Sequence, residues 1–287
     1  MSSSEPDILD EDIKVFLKAL KGISNYDFTN YSMKSIKRRI IKIMSDSKLP
    51  INELISTINS NRGFMEKVVK NITVNTTELF RDLKVWKSIM HDILPQYHDR
   101  EKIRIWHPGC STGQEVYSMM IILAKLDMLE KSEIYASDIN NDVLDIARTG
   151  RYKYRYNQLY LENYDAVINT DYKMQVLEPT TPYDHYFAVD KANNSIVMKP
   201  FLTAKPIYKK IDLVKDDNLF KLKFDLIICR NVIIYFNTEL QNRVINLFYQ
   251  NLVNDGGLIL GIHESILGPY TSYFEKKNNC YYKSRTH

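Results

Sequence analysis

The residues of this chain best suited to chemistry fall in four short groups. The first is Gly109-Cys110-Ser111-Thr112-Gly113-Gln114-Glu115, a small polar loop. A short β-type run at 103–107 precedes it, and helical spacing (Val116, Met119, Met120, Leu123, Leu126) follows it. A strand, a glycine loop and a helix N-terminus let an α/β fold bring backbone N–H groups close to a nucleotide-like ligand. The second is Asp138, 25 residues beyond Gly113, at the end of a second strand-like run. A carboxylate there can accept two hydrogen bonds from a ribose diol. The third is Arg230-Asn231, directly after the apolar run 224–229. The fourth is 75–82, Asn-Thr-Thr-Glu-Leu-Phe-Arg-Asp, whose polar side chains and Arg81 could be held over a cleft. Each group also has a plain structural reading. A glycine turn can bind nothing, Asp138 can cap the helix after it, and Asn75, Thr76 and Thr77 are cap residues. The loop matches neither G-x-G-x-x-G nor the P-loop pattern.

These groups require an alternating α/β array. Ser111 with Gln114, and Thr112 with Glu115, have capping-box spacing and mark the helix start. Asn140 caps a short helix that stops at Gly150. The run 224–229 reads as a central parallel strand, so Arg230 and Asn231 stand at its ligand-binding end. Thr238 with Gln241 is a further capping box, opening a helix with Leu240, Val244, Phe248 and Leu252 on one line. Asp255-Gly256-Gly257 ends that helix, and a strand at 258–262 delivers His263, a residue more often structural than catalytic. Residues 272–283 supply a closing antiparallel strand.

Ahead of this array, residues 1–12 are polar and acidic, a loose tail, and 13–72 read as all-helical. Ile13, Phe16, Leu17 and Leu20 share one face, with Gly22 as a stop. In a helix over 31–45, Ile36, Ile40 and Met44 form an apolar line. Lys34, Arg38 and Lys42 form a basic stripe about 200° round the wheel. That stripe reads as a solvated face or as a docking surface for an acidic partner. An amphipathic helix over 83–94 ends at Pro95. Residues 151–211 contain no glycine, many tyrosines and breaks at Pro179, Pro182, Pro200 and Pro206. Extended runs at 183–190 and 194–201 flank a polar turn, and 208–213 suggests a third strand, together an inserted antiparallel subdomain within 151–211.

The composition, 44% apolar and 26% charged, is that of a globular chain. No apolar run has the roughly 18–20 residues of a membrane helix, and no signal-peptide pattern is present. Cys110, Cys229 and Cys280 are isolated and lack metal spacing, which suggests reduced thiols in a cytoplasm. A net charge of +4 is too small to argue for nucleic acid.

Taken together, 75–82, Gly109 to Ser118, Ala136-Ser137-Asp138-Ile139 and Cys229-Arg230-Asn231-Val232-Ile233-Ile234-Tyr235-Phe236 resemble the CheR family. These are chemotaxis methyltransferases that use S-adenosylmethionine to methylate receptor glutamates. Tyr26-Asp27-Phe28 through Lys37-Arg38-Arg39-Ile40 resembles that family's N-terminal helical domain. The resemblance implies a helical domain at 1–74 and a Rossmann-like methyltransferase domain at 75–287 with a small antiparallel β-subdomain. It implies cofactor contacts from Asn75, Thr77, Arg81, Glu115, Asp138, Asp212, Leu213, Arg230 and Asn231, and no metal. It also implies chemoreceptor helices as partners, docked by Lys34, Arg38 and Lys42, with no nucleic acid and no membrane insertion. Two departures stand out. Asp212 occupies a position that is usually Asn in the family, and the glycine-free 151–211 differs from members tethered to a receptor peptide.

A glutamate γ-carboxylate, with a reference pKa near 4.3, is ionised at neutral pH and needs no general base. Orientation and a group that steadies the carboxylate suffice, and Arg81 and Tyr235 are the candidates for it. Three alternatives stay open on sequence. They are a cofactor-binding regulatory homologue, a methyltransferase for a non-receptor protein or small acid, and a nucleotide-binding enzyme disfavoured by the missing G-x-G-x-x-G.

Overall fold

The computed structural model describes residues 8–73, 75–170 and 180–284. The first residues of the expected tail, Val74 and the break at Pro179 lie outside them. The chain divides into two compact units. One takes residues up to 74 together with Ile233–Val244, and the other takes Asn75–Val232 and Ile245–His287.

The first unit is helical. Helix α1 (Asp10–Ile23) buries Ile13, Phe16, Leu17 and Leu20, as their spacing requires. The expected tail over 1–12 is overturned from Ile8 onward: Ile8 is buried and the helix begins at Asp10. Three acidic side chains fill that first turn, where the helix dipole favours them. Gly22 does not stop α1. It ends at Ser24, whose N–H and hydroxyl both donate to the Leu20 carbonyl. Helix α2 (Met33–Ser47) starts two residues later than expected, because Tyr31 is held in a bridge with Phe236, their rings 5.1 Å apart. Ile36, Ile40 and Ile43 are buried, and Lys34, Arg38 and Lys42 are exposed. Helices α3 (Ile51–Ser60) and α4 (Arg62–Ile72) complete the layer, with Gly63 inside the first turn of α4.

The second unit opens with α5 (Leu83–Ser88). The single helix expected over 83–94 breaks into a π-helical turn (Ile89–Ile93) and a 3-10 turn (Leu94–Tyr97), since Pro95 has no N–H to give and crowds the turn before it. Strand β1 (Ile103–Pro108) is followed by α6 (Gln114–Lys125), β2 (Ser132–Asp138) and α7 (Asn141–Thr149). A short strand β3 (Arg151–Tyr152) and helix α8 (Leu159–Ile168) come next, then β4 (Phe187–Asp190), β5 (Ser195–Met198), the short helix α9 (Pro200–Thr203) and β6 (Ile207–Lys210). Strand β7 (Phe224–Cys229), helix α10 (Thr238–Asn251), strand β8 (Leu252–Leu260) and the hairpin β9 (Phe274–Lys277) and β10 (Cys280–Lys283) close the chain.

The main sheet has the order β6-β2-β1-β7-β8-β10-β9. Its strands are parallel except for the hairpin, where β10 runs antiparallel to β8. From β1 the chain winds outward through β2 to β6, then returns to β1's other side as β7. The strand order therefore reverses between β1 and β7, where open α/β sheets form a crevice at the strands' C-terminal ends. Two expectations fail here. The strand near 208–213 belongs to this sheet, paired with β2, and not to the insertion. The separate three-stranded sheet is β3-β5-β4, and α8, unforeseen, lies within the same stretch. The strand expected over 258–262 begins already at Leu252, so α10 ends before Asp255-Gly256-Gly257.

Alternate residues of β1 face opposite sides of the sheet. Ile103 and Ile105 join the core that contains α5 and α6. Trp106 points the other way, fully buried among Phe220, Phe224 and Phe248, with its indole N–H donating to Ser137 Oγ at 3.0 Å. Trp106→Ala is expected to lower unfolding stability by about 3–5 kcal/mol and Trp106→Phe by much less, read from the midpoint of a urea melt.

Candidate functional site

The β1–α6 loop is built by backbone pairing, not by caps. The N–H groups of Gly109 and Cys110 both donate to the Ser137 carbonyl, which ties the loop to the end of β2. Gly109 has φ +72°, and a Cβ there would lie 2.5 Å from a methyl of Val232, so the loop sits directly on the chain leaving β7. Neither expected capping box forms at α6. Ser111 Oγ donates to the Asn75 carbonyl at 3.0 Å, Thr112 Oγ1 donates to Gln114 Oε1, and the Gln114 amide donates to the buried Tyr160 hydroxyl. Tyr152 donates its hydroxyl to the Thr112 carbonyl at 2.8 Å. Gly113, at φ +90°, occupies the cap position, and no side chain caps the first turn of α6. The Thr238 box is absent as well: Asn237 Oδ1 accepts from the Leu240 N–H.

Asp138 is buried at the tip of β2. Its Oδ2 accepts from the Ser111 N–H at 2.9 Å and its Oδ1 from the Asn140 N–H at 3.0 Å. Helix α7 takes its cap from Asn140, which accepts from the Asp142 N–H. Asp138 therefore fixes the glycine loop, while a carboxylate's lone pairs leave room for a hydroxyl. Next to it, the Ile211 N–H donates to the Asp138 carbonyl. Asp212 and Leu213 follow, both buried, with Asp212 Oδ1 accepting from the Val214 N–H.

Arg230 is the hub. Its side chain is 1% exposed. One guanidinium nitrogen donates to Asp82 Oδ2 and to the Arg81 carbonyl, each at 2.7 Å, and the other faces Glu115 Oε2 at 3.4 Å. Its planar head lies 5.4 Å from the Trp86 ring. Glu115 Oε1 in turn lies 3.1 Å from Nδ1 of His107, which is fully buried on β1. A carboxylate only accepts, so the proton of that bond sits on Nδ1. Residues 75–82 form no helix: Phe80 and Asp82 have φ of 54° and 63°, and the Arg81 side chain donates to the Thr76 carbonyl.

The fold thus brings Asn75, Arg81, Glu115, Asp138, Asp212, Leu213, Arg230 and Asn231 to one edge of the second unit. Thr77 is half-buried in the same 75–82 segment. Tyr235 belongs to the helical unit, where its carbonyl accepts from the Ser32 N–H at 2.8 Å. Sequence reading missed Asp82, His107 and Glu264. Glu264 Oε2 accepts from the N–H groups of Gly261 and Asn231, and Oε1 accepts from that of Val232. His263, weighed in its place, is exposed. Burial pushes all three thiols up, Cys280 to about 12, and Asp138 and Glu115 add to the rise at Cys110.

A sheet whose strand order reverses between β1 and β7, a glycine loop, an uncapped helix start and a carboxylate at the tip of the second strand make a Rossmann-like site of the class that holds a nucleotide-like cofactor. The model of the CheR methyltransferase, SAM binding domain matches residues 75–176 and 156–282, and the chain belongs to that family. It is 32% identical to the Cher3 protein of Pseudomonas putida over 268 residues, covering 93% of each chain. The chemotaxis protein methyltransferase of Listeria monocytogenes is 26% identical over 278 residues, covering 96% of this chain and 97% of its own. Chemotaxis protein methyltransferase 1 of Pseudomonas aeruginosa is 27% identical over 281 residues, covering 93% of this chain and 92% of its own. The donor set fits the cofactor. Asp138 suits a ribose diol, Glu115 an ammonium, and the uncapped α6 N-terminus a carboxylate.

Burial raises the Asp138 carboxyl above the ordinary carboxylate range, against the lowering effect of the surrounding amides. The folded chain therefore holds this proton more tightly than the unfolded one. Its contribution to stability is complete below the unfolded pKa of about 4 and is lost as pH rises through the folded value. Asp138→Asn turns an N–H₂ toward one of the two donating N–H groups and should be less stable than wild type at acid pH, with the difference shrinking as pH rises above about 4 in urea melts. Its affinity for adenosylhomocysteine should fall roughly 10- to 100-fold in calorimetry.

Proposed function

We propose that the enzyme methylates glutamate side chains of chemoreceptors, producing glutamyl methyl esters, in the cytoplasm. Bound S-adenosylmethionine supplies a methyl group on a sulfonium, already electrophilic. The chain's task is orientation and exclusion of competing nucleophiles. The observation that carries this reading is the pair of carboxylates, half-buried Glu115 and buried Asp138, flanking the start of α6 at the sheet's reversal point. Family membership and the relatives' chemotaxis names support the substrate class.

Asn75, Thr77, Arg81, Glu115, Asp138, Asp212, Leu213, Arg230 and Asn231 form the proposed cofactor set. In it Arg230 works through the Glu115 and Asp82 carboxylates and the Arg81 carbonyl. Asp212 can accept from an adenine amino group but cannot donate an amide proton in return. Arg81 and Tyr235 are the side chains proposed to steady the glutamate carboxylate. Residues 1–74 are proposed as the receptor-docking domain and 75–287 as the methyltransferase domain. The exposed stripe Lys34, Arg38 and Lys42 offers a basic surface to acidic receptor helices.

With labelled cofactor and receptor-containing membranes, the label should enter receptor protein and leave as methanol in mild alkali. Alkali-stable label would sink the glutamyl-ester assignment, and cofactor binding without transfer would favour a regulatory role. The triple variant Lys34→Glu, Arg38→Glu, Lys42→Glu should raise KM for receptor membranes about 10-fold or more at low salt and lose much of that difference near 1 M salt, with cofactor affinity unchanged.

A further inference from the structure

We infer that Glu264 is a positioning residue for the cofactor site, acting through the backbone at Asn231 and Val232; this rests on the methyltransferase reading above. Glu264 is 7% exposed, and its carboxylate receives three backbone N–H groups. Gly261 donates to Oε2 at 2.7 Å, Asn231 donates to Oε2 at 2.8 Å, and Val232 donates to Oε1 at 2.8 Å. The bonds join the turn after β7 to the turn after β8, two neighbouring parallel strands. Bonds to a charged acceptor are roughly twice as strong as neutral ones, and three on one carboxylate fix both the direction and the separation of the two turns.

Two further observations show that the turns are shaped around this carboxylate. Asn231 has φ +59°, a left-handed conformation that a non-glycine residue keeps only when its surroundings enforce it. A Cβ on Gly261 would lie 2.7 Å from Glu264 Oε2 and 3.0 Å from the Asn231 nitrogen, so the carboxylate and the Asn231 backbone fill the space beside it. The consequence reaches the site by two routes. Arg230, one residue before Asn231, must aim its guanidinium at Asp82 and Glu115. Val232, whose N–H Glu264 holds, is also the side chain against which Gly109 of the loop is packed. Glu264 thus sets the backbone from which Arg230 and Asn231 project and the surface on which the glycine loop rests.

The test uses the full chain carrying Glu264→Gln or Glu264→Asp. Gln has nearly the same volume but places an N–H₂ group where a carboxylate oxygen accepts, and Asp keeps the charge on a shorter arm. Calorimetry with adenosylhomocysteine, KM for S-adenosylmethionine and kcat, and the melting temperature are measured alongside wild type. Glu264→Gln should weaken adenosylhomocysteine binding and raise KM about 10-fold or more, with amide exchange at Asn231 and Val232 accelerated while the rest of the core stays protected. Glu264→Asp should recover part of the affinity. A lowered melting temperature with unchanged affinity and KM would reduce Glu264 to a structural staple and overturn the inference. So would unchanged amide exchange at Asn231 and Val232. Wild-type protein that bound no adenosylhomocysteine would instead overturn the methyltransferase reading on which the inference rests.

Discussion

The constraint on which the site depends is the burial of the Arg230 guanidinium. A buried cation without partners is prohibitively costly, so three acceptors from two separate parts of the chain must meet it. They are Asp82 and the Arg81 carbonyl from the segment before α5, and Glu115 from the first turn of α6. The meeting point lies at the end of β7, next to the reversal in strand order. Such a cluster adds little to stability compared with an apolar filling of the same volume, but it permits few alternative arrangements. It also holds two carboxylates against one guanidinium. The excess negative charge suits a ligand that carries a sulfonium and an ammonium, and Glu115 is held as well by its hydrogen bond with the buried His107.

Chemistry with an activated methyl group asks for restraint as much as for catalysis. Cys110 stands in the loop itself, and a thiolate there would be a better nucleophile than any carboxylate. The fold keeps it as a thiol. Complete burial raises its pKa, and the neighbouring carboxylates of Asp138 and Glu115 raise it further. The acidic character of the site therefore acts twice. It suits a cationic cofactor and disfavours a thiolate at Cys110. A glutamate substrate, ionised in water at neutral pH, needs neither a base nor a metal from the protein.

What could be read from the sequence was whatever is encoded locally. The apolar run of β7, the helical spacing of α6, the Asn140 cap and the position of Asp138 all follow from a few adjacent residues. Failures came where tertiary partners outbid local ones. Ser111 and Gln114 have capping-box spacing, yet Ser111 is drawn to the Asn75 carbonyl and Gln114 to Tyr160. The stretch near Ile207–Lys210 has a strand's composition, but nothing local says which sheet it will join. Glu264 carries no signature either. A glutamate after a strand is ordinarily solvated, and only the approach of the β7 and β8 turns shows that its three partners are backbone.

The tyrosines explain why the stretch after α7 cannot be treated as an appendage. Tyrosine combines a large apolar ring with a hydroxyl at its far end, so a residue anchored in one core can reach a polar atom in another layer. Tyr152 of β3 donates to the Thr112 carbonyl, and Tyr160 of α8 accepts from Gln114. Tyr117 of α6 donates to the Ala147 carbonyl of α7 at 2.6 Å. The β1–α6 loop is thereby held from the inserted sheet and α8 on one side and from Asp138 on the other. Its own side chains, engaged in these contacts, leave the start of α6 uncapped. An uncapped helix start is unfavourable in isolation, because its first N–H groups lack partners. Here the inserted sheet and α8 hold the loop where a cap would otherwise do so, and the start of α6 is left without a side-chain acceptor.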